Sequence, residues 1–118
     1  MNADDLKQRT KSFALRVIKL VEALPQGTSA NVISKQLVRS ASSVAANYRS
    51  ACRAKSQADF IAKMGIVEEE ADESLFWLEL VEEAGLMKKE RIEDLQNEAD
   101  QIVAIVVSSI NTARGHKR

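Results

Sequence analysis

The sequence predicts a single all-α domain that folds as an antiparallel, up-down-up-down four-helix bundle. The chain has 118 residues, and a domain of that size buries roughly two-thirds of the surface that its unfolded chain exposes. Apolar residues recur at helical spacing through four segments, and the segments are separated by turn residues such as Pro25 and Gly85. The 45% hydrophobic content is typical of a folded protein rather than a disordered one.

The first two helices are predicted at residues 3–24 and 28–53. The first has a stripe of apolar residues, and the breaker Pro25-Gln26-Gly27 ends it. The second combines an apolar stripe with a flank of Ser and Ala residues, which suits close helix packing. The stripe of the first helix is Leu6, Phe13, Val17, Leu20 and Leu24, and that of the second is Ile33, Leu37, Ala41, Val44, Tyr48 and Cys52.

The last two helices are predicted at residues 56–84 and 88–113. Ser56 and Asp59 have the spacing of a capping box at the start of the third helix, and Gly85 suits the left-handed residue that follows a helix end. The fourth helix continues close to a heptad seam from Ile92 to Ala113. Residues 114–118 form a basic tail that we expect to extend into solvent. Helices of this length joined by short loops favour up-down-up-down packing.

The residue inventory excludes several classes of protein and site. No apolar run approaches the ~20 residues that a membrane span requires, and the N-terminus lacks the apolar core of a signal peptide. The lone Cys52 cannot form an internal disulfide, which favours a cytoplasmic location. The one histidine, His116, lies in the tail, so no bundle histidine is present for a metal site or for an activated cysteine. We therefore expect no metal, no cofactor and no enzymatic activity.

Charge is distributed unevenly although the chain has no net charge. Residues 28–55 contain five basic residues and no acid, whereas residues 56–84 contain nine acids and one lysine. Four of the basic residues fall within about 40° of one line along the second helix, and Lys55 follows its end. These candidate nucleic-acid contacts are Lys35, Arg39, Arg49, Arg53 and Lys55.

Three interpretations of this basic stripe stay open on the residues alone. It is a solvated face, it pairs with acids of the third helix within or between subunits, or it binds phosphates. We favour pairing with Glu70 or Glu73 for Arg39, whose neighbours are small, and exposure for Arg49 and Arg53. If Arg39 forms a buried pair, its removal is expected to lower stability by about 3 kcal/mol or more.

The third helix has a second apolar face apart from its core stripe. Its spacing is i, i+4, i+7, i+11 and i+14, and it comprises Ile66, Glu70, Glu73, Trp77 and Leu80. A symmetric oligomer would bury this face around Trp77. The alternative is that the face packs under a neighbouring helix of the same chain.

Two stretches of the sequence carry a resemblance to a known family. Residues 36–51, with Arg39, Ser43 and Asn47, and residues 53–60, with Ser56, Asp59 and Phe60, are followed by an acidic helix that includes Glu73. This pattern resembles the bacterial four-helix-bundle family of 23S rRNA intervening-sequence proteins, over about residues 10–112. Many relatives have Asn-Ile-Ala-Glu-Gly where this chain has residues 47–51, so its second helix is more basic.

The resemblance implies a homopentamer with no assigned enzymatic activity. It also implies a role with nucleic acid, because the related accessory variability determinants of diversity-generating retroelements form basic pentameric barrels that bind nucleic acid and a reverse transcriptase. The sequence therefore leaves two competing hypotheses for the function. The first is a nucleic-acid-binding accessory factor that uses the basic stripe for RNA or DNA, and the second is a scaffold that recruits a protein partner.

Overall fold

The structure, a computed structural model, describes residues 1–115 and contains four α-helices in that range. They are α1 (Ala3–Glu22), α2 (Thr28–Cys52), α3 (Gln57–Glu83) and α4 (Lys89–Ala113). Each helix lies within the range that the sequence predicts. Part of the predicted basic tail, residues 116–118, lies outside the described residues.

The helices pack as a closed four-membered ring. α2 contacts α1 and α3, α4 contacts α3 and α1, and neither diagonal pair touches in the described part of the chain. Short connections make successive helices antiparallel, so α1 and α3 run in the same direction on opposite corners. The molecule is an elongated up-down-up-down bundle that measures 46 × 26 × 20 Å along its principal axes.

The core consists of the apolar stripes that the four helices turn toward one another. Its largest fully buried side chains are Phe13, Leu37, Met64, Leu78, Ile92 and Ile102. Within the described residues, every buried side-chain nitrogen or oxygen atom has a hydrogen-bond partner. The interior is therefore apolar and its few polar groups are satisfied.

Local capping fixes where helices begin and end. The Ser56 hydroxyl accepts a hydrogen bond from the Asp59 N–H at 3.0 Å, as predicted, but the Asp59 carboxylate accepts from the Lys55 N–H instead of closing the box on Ser56. Gly85 has φ +72° and follows α3, and the next N–H, of Leu86, donates to the Val81 carbonyl. This Schellman-type ending satisfies a carbonyl that the helix leaves free.

The contact between α1 and α4 is the least extensive in the bundle, and Arg9 bridges it. The Arg9 Nε donates to Glu98 Oε2 at 2.6 Å and its Nη2 donates to Glu98 Oε1 at 2.9 Å. A third bond, from Nη2 to Gln101 Oε1, measures 2.6 Å. The two-point bond to one carboxylate aligns the helices as well as attracting them.

Within residues 1–115, no helix combines the length and the apolar character needed to cross a membrane.

Candidate nucleic-acid interface

Arg39, from the middle of the predicted basic stripe, binds acids of α3 in the same chain. Its Nη1 lies 3.1 Å from Glu70 Oε1, and its Nη2 donates to Glu73 Oε2. The hydrogen bonds to Glu73 and Glu70 raise the pKa of the Arg39 guanidinium above its ordinary value. The structure thus confirms the predicted pairing of Arg39, although 45% of the side chain stays exposed to solvent. The guanidinium of Arg39 is thus shared between two carboxylates of α3.

Glu73 joins this ion pair to the single tryptophan. The Trp77 indole N–H donates to Glu73 Oε2 at 2.9 Å, one helical turn along α3. That hydrogen bond, together with the one from Arg39, holds the pKa of the Glu73 carboxyl below its ordinary value. Both donors favour the charged carboxylate, so the network is a fixed feature of the α2–α3 boundary.

Beneath the ion pair, α2 and α3 meet through two buried hydroxyls. Ser74 Oγ lies 2.9 Å from Ser40 Oγ, and both residues are fully buried. Each hydroxyl also bonds a carbonyl of its own helix. The small serines bring the helices close together, which places Arg39 within reach of the α3 acids.

The remaining arginines of the stripe line a groove between α1 and α2. Lys7 and Lys11 lie one turn apart on α1, Arg49 lies in the last turn of the antiparallel α2, and Arg53 is the residue that follows the end of α2. The two lysines share a helix face because they are four residues apart, and all four cations line the groove. Small or uncharged residues complete the lining of this cavity, whose volume is about 470 Å³: Gln8, Ala14, Ser42, Ala45 and Ala46. We call this cavity the basic groove.

The basic groove has no acid in its lining. Among residues 1–115, no carboxylate lies within ion-pair distance of Lys11, Arg49 or Arg53. Lys7 makes one long contact, 3.8 Å to a highly exposed Asp4 carboxylate. Four cations around one concave surface, with so little compensation, form a site that attracts anions.

The structure therefore places the five predicted nucleic-acid contacts in three different environments. Arg49 and Arg53 lie together in the basic groove, Arg39 is bound to α3, and Lys35 and Lys55 are exposed outside the groove. Sequence reasoning missed Lys7 and Lys11 because they belong to a different helix. The alanines of α2 and α1 were the available signal, since small residues on facing helices indicate a close approach.

The predicted second face of α3 turns toward α2. Trp77 and Leu80 pack partly buried against the core, and Glu70 and Glu73 bind Arg39. Ile66 stays 42% exposed. The alternative of packing beside a helix of the same chain thus accounts for most of this face, and assembly through it stays a prediction.

No group of three or more His, Cys, Asp or Glu residues in the described part of the chain is arranged to hold a metal ion. Cys52 is a partly buried free thiol on α2.

These features define a class of protein: a four-helix bundle that carries a basic groove on one side and a predominantly acidic third helix. Residues 4–108 match the family model described as 23S rRNA-intervening sequence protein, and the chain belongs to that family. A crystal structure at 1.70 Å of a protein of unknown function from the S23 ribosomal protein family of Bacteroides thetaiotaomicron is similar, with 35% identity and a TM-score of 0.86. The match covers 94% of this chain and 99% of that one. The comparison with curated proteins finds no match.

Proposed function

We propose that this chain is a non-enzymatic, cytoplasmic accessory protein that binds RNA or DNA by its phosphates in the basic groove. The observation that carries the proposal is the meeting of Lys7, Lys11, Arg49 and Arg53 around a cavity whose lining contains no acid. Phosphate contacts from Lys and Arg supply most of the affinity of sequence-independent nucleic-acid binding.

The proposal includes assembly into a homopentamer, as the family resemblance implies. Four cations in one subunit make a weak site at physiological salt. Five copies on one rigid particle raise the effective concentration of each groove for a strand that is already bound. Avidity of this kind turns weak phosphate contacts into useful affinity.

The test is titration of labelled single-stranded RNA, duplex RNA and duplex DNA with purified protein, followed by fluorescence anisotropy. Replacing Arg49 with alanine should weaken binding to unrelated sequences alike, because phosphate contacts do not read sequence. Replacing Lys35, an exposed base of the same helix outside the groove, with alanine is the matched control and should change affinity less than twofold. Equal effects of the two substitutions, or no binding by the wild-type chain, would overturn the proposal.

A second candidate function is a protein-interaction scaffold with no nucleic-acid role. It is favoured by Phe76, an aromatic residue that lies half-exposed on α3 with its ring 5.0 Å from that of Trp77. Exposed aromatic residues are typical anchors of protein interfaces. Under this alternative, the nucleic-acid titrations would show no binding.

A further inference from the structure

The basic groove uses only part of the positive charge of α1. Between residues 6 and 21 this helix contains five bases and no acid. One of the five forms the two-point bond to α4, and Lys7 and Lys11 line the basic groove. The other two, Arg16 and Lys19, are exposed and lie between one and about two turns beyond Lys11. These two cations are not used by the site already described.

Arg16 and Lys19 line a second cavity, which lies between α1 and the start of α4. Its volume is about 300 Å³, and Arg91 lines it from α4. A further cavity of about 530 Å³ shares Met87 and Arg91 with it and extends to Lys88, the residue before α4. We call the four cations of these joined cavities the second basic site: Arg16, Lys19, Lys88 and Arg91.

The second basic site has little acidic compensation. Asp94 is the one acid in the lining of the two cavities, so four cations and one acid leave three positive charges in excess. Within residues 1–115, no carboxylate lies at ion-pair distance from any of the four cations. A concave surface with an excess of one charge attracts the opposite charge, here an anion.

The outward face of α1 joins the basic groove to the second basic site. Lys11 and Lys19 are eight residues apart, which is about 12 Å along the helix axis. The exposed residues between them, apart from Arg16, are uncharged: Ser12, Leu15 and Ile18. The neighbouring helix α2 contains no acid either. A polyanion that leaves the groove along this face therefore meets no acid before it reaches the second basic site.

The path between the two sites bends around α1. The basic groove opens on the side of α1 next to α2, whereas the second basic site lies on the side next to α4. Lys11 and Arg16 are five residues apart and thus point about 140° away from each other around the helix. A flexible single strand can follow such a path. A duplex, whose persistence length is about 150 base pairs, is too stiff to do so over about 12 Å.

We propose that a single strand of nucleic acid held in the basic groove continues around the outward face of α1 and places further phosphates at the second basic site. This second contact depends on the proposed function, because the groove holds the first part of the strand. Once that part is bound, the next phosphates reach the second basic site at a high effective concentration. The protein therefore binds a long single strand more tightly than a strand that fills the groove alone.

The experiment compares two labelled single-stranded RNAs, of about 5 and about 16 nucleotides, by fluorescence anisotropy over a range of salt concentrations. The variant Arg16→Ala/Arg91→Ala removes one exposed cation from each helix that forms the second basic site. The matched control is Lys35→Ala/Lys55→Ala, which removes the same charge from exposed positions outside both sites. Circular dichroism checks that each variant keeps its helices.

We expect Arg16→Ala/Arg91→Ala to bind the long strand at least fivefold more weakly than the wild type and the short strand within twofold of it. The slope of log K against log salt for the long strand should flatten by about 1.4, which is two contacts of about 0.7 each. The control variant should stay within twofold of the wild type on both strands. A duplex of about 16 base pairs should bind the variant and the wild type within twofold of each other, because it does not reach the second basic site.

Binding of the long strand by Arg16→Ala/Arg91→Ala as tightly as by the wild type would overturn the second contact and leave the proposed function standing. Equal losses on the short and long strands, or equal losses in the control variant, would also overturn it, because the effect would then come from charge in general. An equal loss on the duplex would overturn the single-strand path. Failure of the wild-type chain to bind either strand would overturn the second contact and the proposed function together.

Discussion

Replacing Arg39 with alanine removes one guanidinium that contacts two carboxylates. Glu70 and Glu73 then stand one turn apart on α3 without the cation that separates their charges. The Trp77 indole still donates to Glu73, so that carboxylate keeps one of its two partners. The expected result is a destabilised α2–α3 boundary in an otherwise intact bundle.

The solvent exposure of the ion pair determines how much stability the Arg39→Ala substitution should remove. The Arg39 side chain is 45% exposed and that of Glu70 is 19% exposed, so water screens the pair on one side. Exposed pairs contribute 0 to about 1 kcal/mol, and this one lies near the upper end because one arginine serves two acids. We expect a loss of about 1 kcal/mol, well below the 3 kcal/mol that a buried pair would give. For a domain of this size, that loss lowers Tm by about 3 to 6 °C.

Urea unfolding and thermal melts at 0.05 and 0.5 M salt measure the effect. The difference in unfolding free energy between the wild type and Arg39→Ala should be smaller at high salt, because salt partly screens the ion pair. Arg49→Ala is the matched control and should stay within about 0.5 kcal/mol of the wild type. Arg39→Ala should also bind nucleic acid as the wild type does. Equal stabilities of the two variants at low salt would refute this account of the stripe.

Three other predictions address the remaining contacts. Arg9→Ala should cost about 2 kcal/mol in urea unfolding, because it leaves Glu98, only 15% exposed, without its two-point partner, and Glu98→Gln should cost less. Folding lowers the pKa of Glu73 below its unfolded value of about 4.5, so the ionised carboxylate stabilises the folded state fully above that pH and loses this contribution as pH falls through the folded-state pKa. Thermal melts at acidic pH, followed by tryptophan fluorescence, should therefore show stability declining below about pH 4.5. Ser40→Val should cost about 1 to 3 kcal/mol by overpacking against Ser74, whereas Ser40→Ala should cost about 1 kcal/mol or less; the reverse order would contradict the close approach of α2 and α3.

The helices could be predicted from the sequence because their determinants are local. A stripe of apolar residues, a serine cap and a left-handed glycine act within a few residues of one another. Ser56 and Gly85 perform the roles that their positions predict. The capping box of α1, in which Asn2 and Asp5 bond each other's backbone, follows the same local rule and was missed because it uses Asn and Asp.

The site could be predicted only in part, because periodicity gives the angle of a side chain but not the identity of the helix beside it. Arg39 and Arg49 belong to one stripe of α2 but lie about 80° apart around the helix, and the first contacts α3 whereas the second faces α1. Lys11 lies in the basic groove because α1 packs against α2. The spacing of residues within one helix does not show which helix lies beside it. Trp77 was expected at the centre of an exposed face, and the structure leaves the neighbouring Phe76 more exposed instead.

The central claim is that the basic groove holds phosphates. The most direct measurement is the slope of log K against log salt for a labelled single-stranded RNA that is short enough to occupy one groove. One groove that contacts four phosphates predicts a slope of about −3, from about −0.7 for each contact. The double variant Arg49→Ala/Arg53→Ala should flatten the slope by about 1.4, and Lys35→Ala/Lys55→Ala should leave it unchanged. Affinity that does not depend on salt, or a slope that the groove variant does not alter, would contradict the claim.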